Sequence, residues 1–280
     1  VTIRYARRLQ IRVGERLVDA LDCAFEVTRT TDYSQNTARV QIYNLAAETR
    51  RDLQSRTGSG VRCTVLAGYS DGSPPSQICD QELRVISNQR SGPDWITSLE
   101  SGDGDIVKQT AVKGSWAEGA SVKGVVQDLV GQLGVRARDL VASLGLVPDK
   151  PLDGPLSVSG RGDDSLAQQL DSLGLEHSIQ DGELQVVRKS EGTAGEAILL
   201  SPATGMVESP ELQGIRGFIR VPVVNVRALL TPEITPGVRI RIESTAWSGV
   251  CVARRVVHSG TSWGGDWYTD VEGLVTANGT

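Results

Sequence analysis

One seven-residue block occurs twice, and it narrows the folds open to this chain more than any other feature. Asp94-Trp95-Ile96-Thr97-Ser98-Leu99-Glu100 returns as Asp266-Trp267-Tyr268-Thr269-Asp270-Val271-Glu272, with Asp, Trp, Thr and Glu in register. Only five of 280 residues are Trp, so a shared Trp is hard to assign to chance. Ahead of each copy lie Arg84-Val85-Ile86 and Arg255-Val256-Val257. Further ahead lie Gly60-Val61-Arg62 and Gly237-Val238-Arg239, and before those Val40-x-Ile42-x-x-Leu45 and Val224-x-Val226-x-x-Leu229. Four blocks in one order mark a repeated structural unit. Asp94, Trp95, Asp266 and Trp267 are the candidate anchors of equivalent core or interface positions.

The repeated unit reads as β structure. Apolar residues alternate with polar ones at Leu9, Ile11, Val13, at Ala38, Val40, Ile42, and at Leu83, Val85, as in half-buried strands. Breaks at Thr30 to Asn36 and Ser70 to Ser76 read as loops, and a short helix is expected at Ala46 to Gln54. Near residue 119 the period changes to 3.6. Val122, Val125, Val126, Leu129, Val130 and Leu133 share one helix face, and Gly134 stands where the helix stops. A second helix is expected from about Asp164 to Leu173, followed by a hairpin turning at Gln180-Asp181-Gly182. Alternation returns with Val224, Val226, Val238, Ile240, Val250 and Val252. The expected fold is mainly β with an α/β insert. It has two β modules from an internal duplication, with boundaries 1–105 for the first, 106–195 for the insert and 196–280 for the second. In a ring of three such chains, six similar modules would face a partner of different symmetry.

Charge bears on partners. A net charge of −5 argues against stable nucleic-acid binding, which needs a basic surface. Residues 1–20 nevertheless hold five Arg against two acids, and residues 148–183 hold eight acids against Lys150 and Arg161, as in a molecule with two unlike faces. No run has the length of a membrane span, and VTIRYARRLQ lacks the apolar core of a signal peptide, so a soluble, cytoplasmically made protein is expected. Cys23, Cys63, Cys79 and Cys251 show no C-x-x-C spacing, and Cys23 and Cys63 alternate in phase with apolar neighbours as buried thiols do.

No set of residues composes an active site, and no enzyme and no cofactor or metal are expected. His177 and His258 read as surface or loop residues. Gly260-Thr261-Ser262-Trp263-Gly264 has the letters of a nucleophile elbow but no helix and no histidine after it, so a plain turn is the better reading. Glu100, Asp103 and Asp105 could offer oxygens to calcium, yet their spacing is not that of an EF-hand loop and a solvated turn suffices. Arg161-Gly162-Asp163 precedes a helix, where Asp163 is expected to cap free backbone donors.

Several segments together resemble the baseplate hub proteins of contractile-tailed, Mu-like phages. They are Ile42 to Leu45 (IYNL), Ala67-Gly68-Tyr69, Trp95 to Gly104 (WITSLESGDG), Gly174-Leu175-Glu176, Ile179 to Val186 (IQDGELQV), Leu200-Ser201-Pro202 with Thr204-Gly205, Leu229 to Gly237 (LLTPEITPG) and Asp266 to Thr269. The resemblance implies a virion protein of the tail baseplate, assembled in the host cytoplasm. It would form a homotrimer with two tail-tube-like barrels per chain, joining the hexameric tail tube protein to a trimeric central spike. Baseplate wedge proteins would be further partners, and genomic DNA would pass transiently through the channel at ejection. The chain is too short for a fused spike or lysozyme domain, which implies a separate spike protein. The alternatives are a tail-associated host-surface binding module, motivated by Trp247 and Trp263 as exposed candidates, and a cell-wall-degrading tail enzyme.

Overall fold

The computed structural model describes residues 6–32, 36–55, 60–70, 74–104, 107, 109–137, 144–189, 191–193, 195–213 and 222–276. The first stretch of chain forms β1 (Arg7–Val13), β2 (Arg16–Val18), β3 (Cys23–Thr30), β4 (Thr37–Tyr43), helix α1 (Ala47–Ser55), β5 (Arg62–Tyr69), β6 (Ser76–Ser91) and β7 (Asp94–Gly102). Alternation decides their burial: in β4, Ala38, Val40 and Ile42 point inward while the residues between them are exposed or half-buried. With Ile11, Val65, Leu83 and Leu99, and with Leu53 of α1, they form a first core that also contains Cys23, Cys63 and Cys79.

The middle of the chain forms β8 (Ala111–Trp116), α2 (Val122–Leu133), β9 (Arg136–Ala137), β10 (Leu156–Arg161), α3 (Gly162–Asp171), β11 (Leu175–Gln180) and β12 (Glu183–Arg188). The six apolar residues of the 3.6 period are the buried face of α2. Its first turn is capped by the Ser121 hydroxyl, which accepts from Gly124 N, and it ends on Gly134 at φ 66°. Leu166 and Leu170 of α3 complete a second core with α2 and the β11–β12 hairpin. Asp181 and Gly182 both have positive φ, 57° and 82°, as the expected two-residue turn requires. Helix α3 starts earlier than expected. Its N-cap is Arg161, without a side-chain cap, and Asp163 lies in the first turn, where its Oδ1 accepts from Asp164 N. Asp163 is therefore not the capping residue.

The last stretch forms β13 (Ile198–Leu200), β14 (Glu211–Gln213), β15 (Val223–Leu229), β16 (Arg239–Ile242), β17 (Gly249–Thr261) and β18 (Trp267–Val275), around a third core that includes Val224, Val226, Ile240, Ile242, Cys251 and Val271. The first and last stretches share one sheet of 13 strands, ordered β14-β15-β18-β17-β3-β4-β7-β6-β5-β1-β2, with β16 on β17 and β13 on β16.

Within that sheet the two copies of the seven-residue block hold equivalent places. Each is the antiparallel partner of a long strand, β6 or β17, and each ladder carries one register shift, between Leu83 and Val85 and between Ala253 and Arg255. Glu100 faces Val85 and Glu272 faces Arg255; Thr97 faces Asn88 and Thr269 faces His258. Asn44 N donates to Trp95 O at 2.7 Å, and Leu230 N donates to Trp267 O at 3.0 Å. Leu83 N donates to Val61 O at 2.8 Å, and Ala253 N to Val238 O at 2.9 Å.

Candidate assembly interface

Strand β17 has one edge along β18 and divides the other between two partners. Gly249 to Val252 pair with β16, and Arg255 to Thr261 pair with β3, from Arg255 opposite Thr30 to Thr261 opposite Ala24. This β3–β17 seam joins the first stretch to the last by a continuous ladder. Its side chains interlock as well. Trp267, only 2% exposed, belongs to the first core despite lying on β18. Its ring meets Phe25 edge-on at 5.7 Å and Tyr69 at 6.4 Å, and the Arg7 guanidinium stands 5.3 Å from the ring centroid. Gly260 leaves the space for this: a Cβ there would lie 2.4 Å from the Trp267 ring and 2.8 Å from Phe25. Arg7 also donates to the Thr261, Gly265 and Asp266 carbonyls, so Asp266 takes part through its backbone.

Trp95, the counterpart of Trp267 in the ladder, is in a different environment. It is 37% exposed, and Arg50 of α1 stacks 4.2 Å above its ring. Asp94 Oδ1 accepts from Asn44 Nδ2 at 2.9 Å while Asn44 Oδ1 accepts from Trp95 N at 3.0 Å, a reciprocal pair that holds the start of β7 beside the end of β4. The four anchor candidates are thus brought into two equivalent strand positions, one sealed and one open.

A second contact region ties the insert to the first core. The buried Arg29 guanidinium donates to Gln180 Oε1 at 3.0 Å, Ile78 O at 2.7 Å and Asp181 Oδ2 at 3.0 Å. Asn36 Nδ2 donates to Ile179 O, and Gln180 Nε2 donates to Thr30 O. Asp181 N donates to Asp103 Oδ2, and Asp80 N to Asp181 Oδ1, both at 2.8 Å. Burial, then the neighbouring Asp181 charge, push the Asp103 carboxyl up to about 7. Asp103 is therefore part of a buried joint, contrary to the solvated turn expected for it. Glu100 is exposed on β7, and Asp105 lies outside the described residues. Among the described residues no cluster of His, Cys, Asp or Glu could hold a metal ion.

Both histidines are buried, which corrects the surface reading. His258 follows Val256 on the inward face of β17, with Nδ1 2.9 Å from Thr269 Oγ1 and Nε2 3.1 Å from Ile234 O. Two satisfied nitrogens let a neutral imidazole be buried, and that burial lowers the pKa of His258 to about 3 and of His177 to about 4. Asn88, the counterpart of His258, accepts from Thr97 Oγ1 at 2.8 Å, so each residue serves the Thr opposite it in its own copy. Such histidines hold the fold neutral: their stabilisation is complete above about pH 6.5 and is lost as pH falls toward their lowered values. Between pH 7 and 4.5 wild type is expected to lose about 2 kcal/mol of stability relative to His258→Asn, measured by denaturant unfolding. Subtracting the variant cancels the contribution of Asp103, which has the opposite sign. Parallel curves would refute the buried neutral state.

Ser262 lies in the turn between β17 and β18, and its Oγ accepts from Cys23 N at 2.9 Å, a structural role at the seam. All four thiols are free and buried, and burial pushes those of Cys23, Cys63 and Cys251 up to about 12. Trp263 is exposed and meets the Tyr43 ring edge-on, whereas Trp247 packs against the third core. No helix among the described residues is long and apolar enough to cross a membrane.

No family model matches the chain, and no curated protein matches it by sequence. Its fold recurs in solved structures. The chain is similar to a tail protein from Neisseria meningitidis (13% identity, 96% of this chain and 97% of the other, TM-score 0.63). It is also similar to the 43 kDa tail protein of prophage MuSo2 from Shewanella oneidensis (9% identity, 97% and 99%, TM-score 0.65). A third similar protein is an E. coli component of the type VI secretion system, itself described as resembling the bacteriophage T4 tail proteins gp27 and gp5 (9% identity, 98% and 78%, TM-score 0.58). The chain therefore has the mainly β fold found in phage tail proteins and in a type VI secretion component.

Proposed function

We propose that this chain is a structural hub subunit of a contractile tail baseplate, with no catalytic role. The observation that carries this reading is the contrast at the repeated block: one copy is sealed by a neighbouring module at the seam, and the other presents the same strand position unsealed. In this reading the repeat reflects duplication of one module. The chain divides into 1–105, the insert 106–195 and 196–280, and three copies make a ring of six modules. Such a ring presents sixfold contacts to a tail tube and threefold contacts to a central spike, with wedge proteins at its periphery and DNA passing through its channel without being held, in keeping with the net acidic charge of the chain. The shared fold with tail proteins supports this placement in a virion tail. Native mass spectrometry of the full chain, alone and with its spike, is the test. A species three times 29.9 kDa is expected; a persistent monomer or an even-numbered ring would overturn the proposal.

A further inference from the structure

The long strands β6 and β17 are used alike except in one respect. On β17 the edge away from β18 is shared, with β16 taking the first part and β3 the second. On β6 the edge away from β7 is taken over its first part by β5, from Ser76 to Glu82. Among the described residues, no strand pairs with the second part, Val85 to Ser91, on that edge. At the far end of the sheet β14 has, among the described residues, a partner on one side only, β15. Strand β14 is to β15 what β3 is to β4, since each precedes and pairs with the strand beside the repeated block. Among the described residues, one edge thus has no β3-like partner, and one β3-like strand has no β17-like partner.

We infer that β14 of one copy pairs antiparallel with the open edge of β6 in the next, repeating the β3–β17 seam between chains. This rests on the ring proposed above and adds its register, which the chain's own pairings fix. Thr97 opposite Asn88 corresponds to Thr269 opposite His258, and His258 faces Val27. Val40 opposite Leu99 corresponds to Val226 opposite Val271. Carrying these equivalences through β4 and β15 matches Val27 to Leu212. Asn88 then faces Leu212, Gln89 faces Glu211, and Ser87 faces Gln213.

Three observations favour a second copy as the occupant. Val85 and Leu212, 47% and 49% exposed, are large apolar side chains left on the two edges in question. By strand alternation Leu212 falls on the sheet face that carries Trp95, where Val27 stands relative to Trp267 in the seam. The charges are also complementary: Arg90 lies on the β6 edge, and exposed Glu211 follows Pro210, the residue that Arg90 would face. Helix α1 reaches this strand through Gln54. Gln54 touches Asn88 as Ile234 touches His258, and the latter contact coexists with seam pairing.

The test is a disulfide between copies of the full chain carrying both Gln89→Cys and Glu211→Cys, two exposed positions. Within one chain six strands lie between β14 and β6 in the order of the sheet, and only a bond between copies gives covalent multimers on a non-reducing gel. Mild oxidation is expected to give covalent dimers and trimers that reductant reverses. Gln89→Cys with Leu212→Cys, whose side chains point to opposite faces, should give about tenfold less. The native thiols are buried, and each single variant measures their background. A trimer in native mass spectrometry that crosslinks at neither pair would refute the edge pairing and leave the ring standing. Preferred crosslinking of the shifted pair would refute the register. A wild-type monomer at every concentration, with and without the spike, would overturn both.

Discussion

Trp267→Ala is expected to lower the unfolding free energy by about 3–5 kcal/mol, the usual cost of emptying a large aromatic site in a core. The loss should be felt across the seam, because the indole fills space among Phe25, Tyr69 and Gly260 rather than within its own module. Trp95→Ala removes an exposed ring that contacts Arg50, and its effect on the isolated chain should be under about 1 kcal/mol. Its larger effect should fall on ring formation. Urea unfolding of both variants, followed by native mass measurement of Trp95→Ala, separates these roles. Wild-type stability in Trp267→Ala would mean that the seam carries no packing energy. An unaltered trimer in Trp95→Ala would remove that residue from the assembly surface.

Arg29→Ala should be as damaging, at about 3–5 kcal/mol, for an electrostatic reason. The guanidinium is buried and offsets the Asp181 carboxylate in a joint that also encloses Asp103 and Asp80. Removing it takes from the largely buried Asp181 carboxylate its paired cation and leaves it beside Asp103, while Arg62 still pairs with Asp80. Arg29→Met combined with Asp181→Asn removes both signs together and should recover a good part of the loss. Chemical denaturation of the single and double variants is the measurement. A cost below about 1 kcal/mol for Arg29→Ala would show that solvent already screens the joint.

The readability of the fold followed the range of its interactions. Helix α2 could be read because six apolar residues, Ser121 and Gly134 all signal within one short stretch. The β11–β12 turn could be read for the same reason. The repeat was visible through Trp95 and Trp267, yet two of its blocks were misaligned. The register shifts match Arg84 to Arg254, not Arg255, because the turn between the paired strands is longer in the second copy: Thr97 faces Asn88 across a shorter loop than the one across which Thr269 faces His258. Pairing with the repeated block matches Val40 to Val226, not Val224, while Gly60-Val61-Arg62 and Gly237-Val238-Arg239 do correspond.

The seam itself left no local signal, since β3 and β17 are ordinary strands until they meet. The buried joint was missed too, although a clue was available. Arg29 continues the inward phase of Phe25 and Val27, where a charge needs a partner supplied from elsewhere in the chain. His258 gave a like clue by following Val256 in phase.

The separation along the chain of the two seam strands has a consequence for biosynthesis. Thr30 is made 225 residues before its partner Arg255. At about 5–20 residues per second, β3 waits roughly 10–45 s with one edge unpaired. A nascent chain with a bare, apolar strand edge invites pairing with its neighbours on the same polysome. The guanidinium of Arg29 near the end of that strand would discourage such encounters until the C-terminal residues emerge, so the group that later locks the insert in place also protects the chain while it is incomplete.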